Sequence, residues 1–131
     1  MDFSNVVAFV TGANRGIGRT FVEELADAGA RKIYAAARNP ETLQELTSQF
    51  AGRVVPVELD VTNKDQVTAA VQAAADVNLL LNNAGIAGYA GLIAAPDIES
   101  ARQEMETNNF SVLSLVRALA PPRKRHGGGA L

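Results

Sequence analysis

The first residues whose types and spacing could do chemistry are Thr11-Gly12-Ala13-Asn14-Arg15-Gly16-Ile17-Gly18. The glycines are spaced glycine, three residues, glycine, one residue, glycine. Glycine lets the backbone turn sharply and lets another group approach where a Cβ would stand in the way. A short apolar run, Asn5 to Val10, precedes the turn, and a helical pattern follows from Gly18. Such a turn brings unpaired N–H groups and the positive end of a helix dipole to one point, which is a cradle for a phosphate or pyrophosphate. The spacing is not the G-x-G-x-x-G dinucleotide fingerprint, and no lysine follows the last glycine as in a P-loop. A glycine turn can also do no more than join a strand to a helix. Its place at the first junction of an alternating pattern weighs against that plainer reading.

The elements that would position the turn can be read in order. Gly18 to Ala28 carries Phe21, Val22, Leu25 and Ala26 on one side and charged residues on the other, with Gly29 placed to stop it. Lys32 to Ala37 is a second strand. Pro40 begins a helix carrying Leu43, Leu46 and Phe50, which ends near Gly52. Val54, Val55, Val57 and Leu59 form a third strand. Thr62 or Asn63 caps a helix from Lys64 to about Ala75, with Val67, Ala70, Val71 and Ala74 inward. Val77 to Leu81 is a fourth strand without alternation, so both its faces must be buried. A small-residue loop, Ala84 to Ala95, leads to a helical region from about Asp97 to Ala120, which Pro121-Pro122 is expected to end. Arg123 to His126 and the glycines after them read as a solvated loop. Repeated strand–helix alternation predicts an α/β fold, a parallel sheet with helices on both faces.

Composition narrows the function classes. The chain has 131 residues, suited to one domain over 1–131, and 47% are hydrophobic. Charged residues are 20% and the net charge is -2, which gives no reason to expect a nucleic-acid partner or an anionic membrane. The absence of cysteine excludes disulfides, thiolate metal sites and a cysteine nucleophile, and no metal site is expected. No signal peptide or bilayer-spanning run is visible, so a cytoplasmic setting is the expectation.

The motif at Thr11 to Gly18 resembles the coenzyme motif of the short-chain dehydrogenases/reductases, and three later segments agree in order and distance. Asp60-Val61 follows the third strand, where that family uses an aspartate to hydrogen-bond the adenine amino group; aspartate there also suits a turn. Asn82-Asn83-Ala84-Gly85 is similar to the family's N-N-A-G motif, which ties down the strand end and lines the coenzyme. Glu106-Thr107-Asn108-Asn109-Phe110 resembles the segment bearing the family's helix asparagine, matched by register to Asn108. In the family this asparagine sits at a helix irregularity and holds a water linked to a catalytic lysine. The resemblance covers essentially the whole chain. It implies a Rossmann-like, doubly wound parallel sheet, here incomplete at about four strands. It also implies an oxidoreductase that moves a hydride between NAD(P)(H) and a small carbonyl or alcohol substrate. The cofactor-binding residues it implies are Gly12, Asn14, Arg15, Gly16, Ile17, Gly18, Arg38, Asp60, Val61, Asn83, Ala84 and Gly85, with Asn108 the one member of the catalytic set present.

The second strand discriminates between coenzymes. A carboxylate about 20 residues beyond the glycine turn would bind the ribose 2′-OH and repel a 2′-phosphate. Ala37 stands at the strand end, Arg38 follows, and Arg15 lies inside the turn. Two guanidinium groups suit a phosphate carrying about -1.5 to -2 charges. NADP(H) is therefore expected over NAD(H), although any single exposed arginine could be merely solvated.

The family's general acid/base is a tyrosine with a lysine four residues on, assisted by a serine. Tyr34 and Tyr89 lack that lysine, since Ile93 stands four beyond Tyr89, and Lys32, Lys64 and Lys124 all fall at other offsets. The chain thus resembles a C-terminally truncated member, with Gly127 to Leu131 similar to the lead-in to a fifth strand. The alternative is a catalytically incompetent NADP(H)-binding fragment or pseudoenzyme. Without a fifth strand, Val77 to Leu81 would form an apolar sheet edge open to self-association, apart from any pairing the tail offers. Light scattering at micromolar concentration is expected to show self-association; a monodisperse, cooperatively unfolding monomer would contradict it.

Overall fold

Strand β1, Val7–Thr11, is buried at all five positions, and β2, Lys32–Ala37, at every position after Lys32. Strands covered on both faces have no polar side to present, so neither sequence alternates. β1 runs parallel to β2, with Val7 opposite Lys32 and Thr11 opposite Ala36. β2 pairs with β3, Val54–Glu58, and β1 with β4, Leu79–Leu81, both in parallel. The order across the sheet is β3-β2-β1-β4. The crossovers are α1, Gly16–Asp27; a 3-10 turn, Pro40–Leu43, continuing into α2, Gln44–Gln49; and α3, Lys64–Ala73. Beyond β4 come α4, Glu99–Met105, a π-helical turn, Glu106–Phe110, and α5, Ser111–Arg125. The structure is a computed structural model that describes residues 2–88, 97–125 and 130. Tyr89, the loop positions through Ala95, His126 and Gly127 to Gly129 lie outside the described residues.

Helices on opposite faces make two cores. Val7, Phe9, Tyr34, Ala36 and Leu80 face Val67 and Ala70 of α3 and Leu115 and Leu119 of α5. Ala8, Val10, Ile33, Ala35, Ala37 and Val54 face Val22, Leu25 and Ala26 of α1, together with Leu43 and Leu46. Successive strand residues alternate between the two cores, as the period of two requires. The expected doubly wound α/β sheet with helices on both faces is the fold observed.

Several boundaries differ from the sequence reading. β1 starts at Val7 rather than Asn5 and takes in Thr11, whose side chain is satisfied inside the protein. β4 is confined to Leu79–Leu81, although Val77 is buried beside it. α1 begins at Gly16, two residues before the expected start, and Phe21 lies 40% exposed instead of facing the core. Of the two candidate caps, Asn63 is the one used, accepting from the N–H groups of Asp65 and Gln66. The helical region after residue 97 is broken by the π turn. It also does not stop at Pro121-Pro122, since α5 continues through Arg123–Arg125, which were expected in a loop. Each proline already holds a helical φ; it costs its own N–H donor and crowds the carbonyl four residues earlier, yet the helix runs on past both. Lastly, the β4 edge is not bare: Ala130 forms a parallel bridge to Leu79, donating to the Asn78 carbonyl and accepting from Leu80 N–H at 2.9 and 3.0 Å.

The end of the sheet away from the strands' C-termini is tied by side chains. Asn78 accepts from Val7 N–H at 2.9 Å and donates to the Asn5 carbonyl at 2.8 Å, stitching the start of β1 to the start of β4. Nearby, Lys32 Nζ donates to Asp76 at 2.7 Å, Tyr34 OH donates to the other Asp76 oxygen at 2.8 Å, and Tyr34 stacks on Phe9. Burial alone would push the Asp76 carboxyl up, but the hydrogen bonds from Lys32 and Tyr34 outweigh it and hold the group below the usual aspartate value. Lys32 is raised, first by its bond to Asp76 and then by Tyr34. A depressed carboxyl adds stability above its unfolded pKa and loses it as pH falls through the folded value. A raised amine loses its contribution as pH climbs through its own folded value. Asp76→Asn is therefore expected to destabilise the fold by about 1 kcal/mol between about pH 5 and 9, a modest figure because the pair is partly solvated. The deficit should shrink below about pH 4, where the parent's carboxyl also protonates. Urea titrations at several pH values check this; a pH-independent difference would exclude the ionic account.

Candidate nucleotide-binding cleft

The turn that follows β1 is shaped by hydrogen bonds to the end of β4. Thr11, 1% exposed, uses its hydroxyl oxygen to accept the N–H groups of both Asn83 and Ala84 at 2.9 Å. The same hydroxyl faces the Leu81 carbonyl at 3.5 Å. The Asn83 amide donates to the carbonyls of Thr11 and Gly12 at 3.2 and 3.1 Å. The turn and the post-β4 segment are thereby pressed backbone to backbone. Gly12 takes φ +62°, and a Cβ there would stand 3.0 Å from the Ala84 Cα. A Cβ on Gly18 would overlap the Gly12 carbonyl and the Asn83 amide. Gly16, at φ +55°, has open space beside it, so conformation and not contact demands glycine there.

Above this junction, at the C-terminal ends of the strands, lies a cleft of about 770 Å³. Gly12, Asn14, Arg15, Gly16 and Ile17 line one side, Ala37 and Arg38 the end of β2, Asp60 and Val61 the end of β3, and Asn83, Ala84 and Gly85 the end of β4. Gly18 does not reach the cleft. It is buried beneath the turn, where its missing side chain permits the packing just described. Asn108 is also not among the lining residues. It stands in the π turn and pairs with the backbone of Ile86, its amide oxygen accepting from Ile86 N–H at 2.9 Å and its amide nitrogen donating to the Ile86 carbonyl at 2.7 Å. Among the described residues the Asn109 side chain's one hydrogen bond is to Met105 Sδ at 3.3 Å, so the π turn sets the two neighbours to different tasks.

The electrostatics of the cleft favour an anion at one end. α1 has no side-chain cap and no acidic residue in its first turn, so its leading N–H groups are left to whatever enters the cleft. Arg15 and Arg38 are exposed, and neither belongs to an ion pair among the described residues. Ala37, at the end of β2, is buried and offers no carboxylate. Asp60 closes a local turn, its Oδ1 accepting from the Thr62 N–H and hydroxyl at 2.9 and 2.7 Å. Those bonds, the hydroxyl's first, hold its carboxyl below the usual range, and the nearby charge of Arg38 adds to them. Its Oδ2 has no hydrogen-bond partner among the described residues. The turn-forming and cleft-lining readings of Asp60 are thus compatible.

Sequence reasoning passed over other lining residues. Asn39 and Thr62 lie beside called positions, and Gln103, Glu106 and Thr107 reach the cleft from α4 and the π turn. The hydroxyl of Thr11 had one readable signal, a polar residue ending an otherwise apolar buried strand. Asn82 Oδ1 is a buried acceptor without a partner among the described residues. Together, uncapped helix N–H groups, a turn too close-packed for side chains and a flanking arginine pair fit a phosphorylated dinucleotide. Replacing Thr11 by Val should leave the N–H groups of Asn83 and Ala84 without an acceptor, at about 2–4 kcal/mol of stability. Thr11→Ser, which keeps the oxygen, should retain most of it. Chemical denaturation of both variants checks this, and equal losses would show that packing rather than the hydroxyl matters.

Comparisons with known proteins agree with this geometry. The family model described as short chain dehydrogenase matches residues 6–131. An uncharacterised oxidoreductase of Bacillus subtilis, YusZ, is 35% identical over 133 residues, covering 95% of this chain and 46% of that protein. A short-chain dehydrogenase of Burkholderia cenocepacia, solved in complex with NADP, superposes with a TM-score of 0.89 at 45% identity, over 99% of this chain and 53% of that one. A 7α-hydroxysteroid dehydrogenase, solved with NADH and 7-oxo glycochenodeoxycholic acid, superposes with a TM-score of 0.87 at 27% identity, over 97% of this chain and 51% of that one. The chain thus spans about half the length of these relatives.

Proposed function

The chain belongs to the short-chain dehydrogenase/reductase family, and on that premise we propose that its cleft holds NADP(H) for hydride transfer with a small carbonyl or alcohol. The observation that carries the coenzyme choice is Arg15 and Arg38 on the cleft wall beside the uncharged Ala37. Family membership alone does not decide between coenzymes, since one similar structure was solved with NADP and another with NADH.

In this reading each residue has a physical task. The N–H groups at the start of α1, opened by Gly12 and Gly16, bind the pyrophosphate. Asn14 and Ile17 flank it. Arg15 and Arg38 clamp the 2′-phosphate through charge-assisted bonds. Asp60 accepts the adenine amino group with its free oxygen, and Val61 packs on the base. Asn83, Ala84 and Gly85 form a wall close enough to orient the nicotinamide half, and Asn108 holds that wall from behind through Ile86. Bound there, the coenzyme supplies or takes up the hydride; the residues named bind and orient it.

A second reading has its own observation: no Tyr-x-x-x-Lys pair occurs in the 131 residues. On that reading the chain binds NADP(H) without turnover. Carbonyl reduction by the purified chain would exclude this second reading.

Fluorescence titration of the chain with NADPH and NADH is expected to give tighter binding of NADPH by roughly tenfold or more. Arg38→Ala should weaken NADPH by about 10- to 100-fold and leave NADH nearly unchanged, the effect of losing one charged hydrogen-bonding group. Equal affinity for the two coenzymes in the parent chain would overturn the NADP(H) reading.

A further inference from the structure

The backbone that follows the Asn83-Ala84 junction is caught at two points. Asn108 takes both polar groups of Ile86. Glu104, four residues earlier, accepts the N–H of Gly88 with Oε1 at 2.5 Å. Residues four apart on a helix share a face, so α4 and the π turn present the amide and the carboxylate side by side. The loop's glycines match these two contacts. A Cβ on Gly85 would lie 3.3 Å from Asn108 Oδ1, and one on Gly88 would lie 2.5 Å from Glu104 Oε1. Each glycine therefore stands where one of the two side chains reaches the backbone. Ala84, Gly85 and Ile86 line the cleft, so whatever fixes this loop fixes the cleft wall.

We infer that Glu104 is a positioning residue, its carboxylate and the Asn108 amide forming a two-point latch on the Ile86–Gly88 backbone that sets the wall of the coenzyme cleft. No cleft contact of its own is needed. Glu104 does not line the cleft, is only partly buried, and forms no salt bridge among the described residues. Among the described residues its side chain's one hydrogen bond is to Gly88. Without it, the side-chain hold on Ile86 to Gly88 among the described residues reduces to the Asn108 contact at Ile86. The affinity part of this inference rests on the coenzyme reading above; the loop-holding part does not.

The test combines amide hydrogen exchange with NADPH titration on the full chain, for Glu104→Ala, Glu104→Gln and Gly88→Ala. Glu104→Ala should speed exchange of the Gly88 amide by about tenfold or more and raise the NADPH dissociation constant by about three- to tenfold, with the unfolding midpoint unchanged. Glu104→Gln, which keeps an acceptor oxygen at the same reach, should stay within about threefold of the parent. Gly88→Ala should reproduce the Glu104→Ala effects by pushing the carboxylate away. The double variant should be no worse than either single one, because both remove the same contact. Unchanged Gly88 protection in Glu104→Ala overturns the latch. Lost protection with unchanged NADPH affinity overturns its role in the cleft, as does a loss of affinity matched by a loss of global stability. Failure of the parent to bind NADPH would sink the coenzyme reading instead, and Gly88 protection alone would then decide the latch.

Discussion

The cleft depends on one close approach, that of the Gly12 backbone to Asn83 and Ala84. Thr11 and Asn83 create it with four hydrogen bonds, in which one hydroxyl serves two N–H groups and one amide serves two carbonyls. These are buried or half-buried polar groups, where an unmet donor costs more than a made bond contributes, so the arrangement has little freedom to relax. Because the two backbones touch, side chains are excluded at Gly12 and Gly18, and α1 must start where its N–H groups open on the strand ends. The anion site is thus a consequence of sheet packing. It is not an addition to it.

A second tie secures the opposite end of the same strand pair. Asn78 binds the start of β1 as Asn83 binds its end, so β1 and β4 are fastened at both termini although their ladder spans only three residue pairs. So short a strand gains little from its own pairing, and the asparagine clamps supply bonds that a longer ladder would have provided. The bridge from Ala130 extends the pairing on the far side of β4, where an unpaired apolar edge would otherwise invite association.

The helical wall shows how irregularity is put to use. A regular helix across Glu106–Phe110 would turn Asn108 and Thr107 by a different amount. The π turn, frequently found at functional sites, lets Thr107 reach the cleft while Asn108 holds the loop backbone. Charge is distributed to match. The uncapped start of α1 and two arginines unpaired among the described residues stand at one end, and Asp60 is held ionised by Thr62 at the neighbouring strand end.

The sequence alone carried the order of strands and helices, their burial on two faces and the glycine turn. It also carried the missing carboxylate at Ala37 and the positions of Arg15 and Arg38. Each of these is a local pattern, written in residues a few places apart, and the physics that reads them is equally local: helical period, glycine geometry and charge. It did not carry the partners of Thr11, Asn78 and Asn83, which lie 70 to 73 residues away in the chain. Nor did it carry the reach of Gln103 and Thr107 into the cleft, the choice of Asn63 over Thr62 as the helix cap, or the passage of α5 through Pro121-Pro122. Which hydrogen-bonding group meets which is undecided until β4 docks against β1. Only that tertiary adjacency selects among the many polar residues able to satisfy a given N–H or carbonyl.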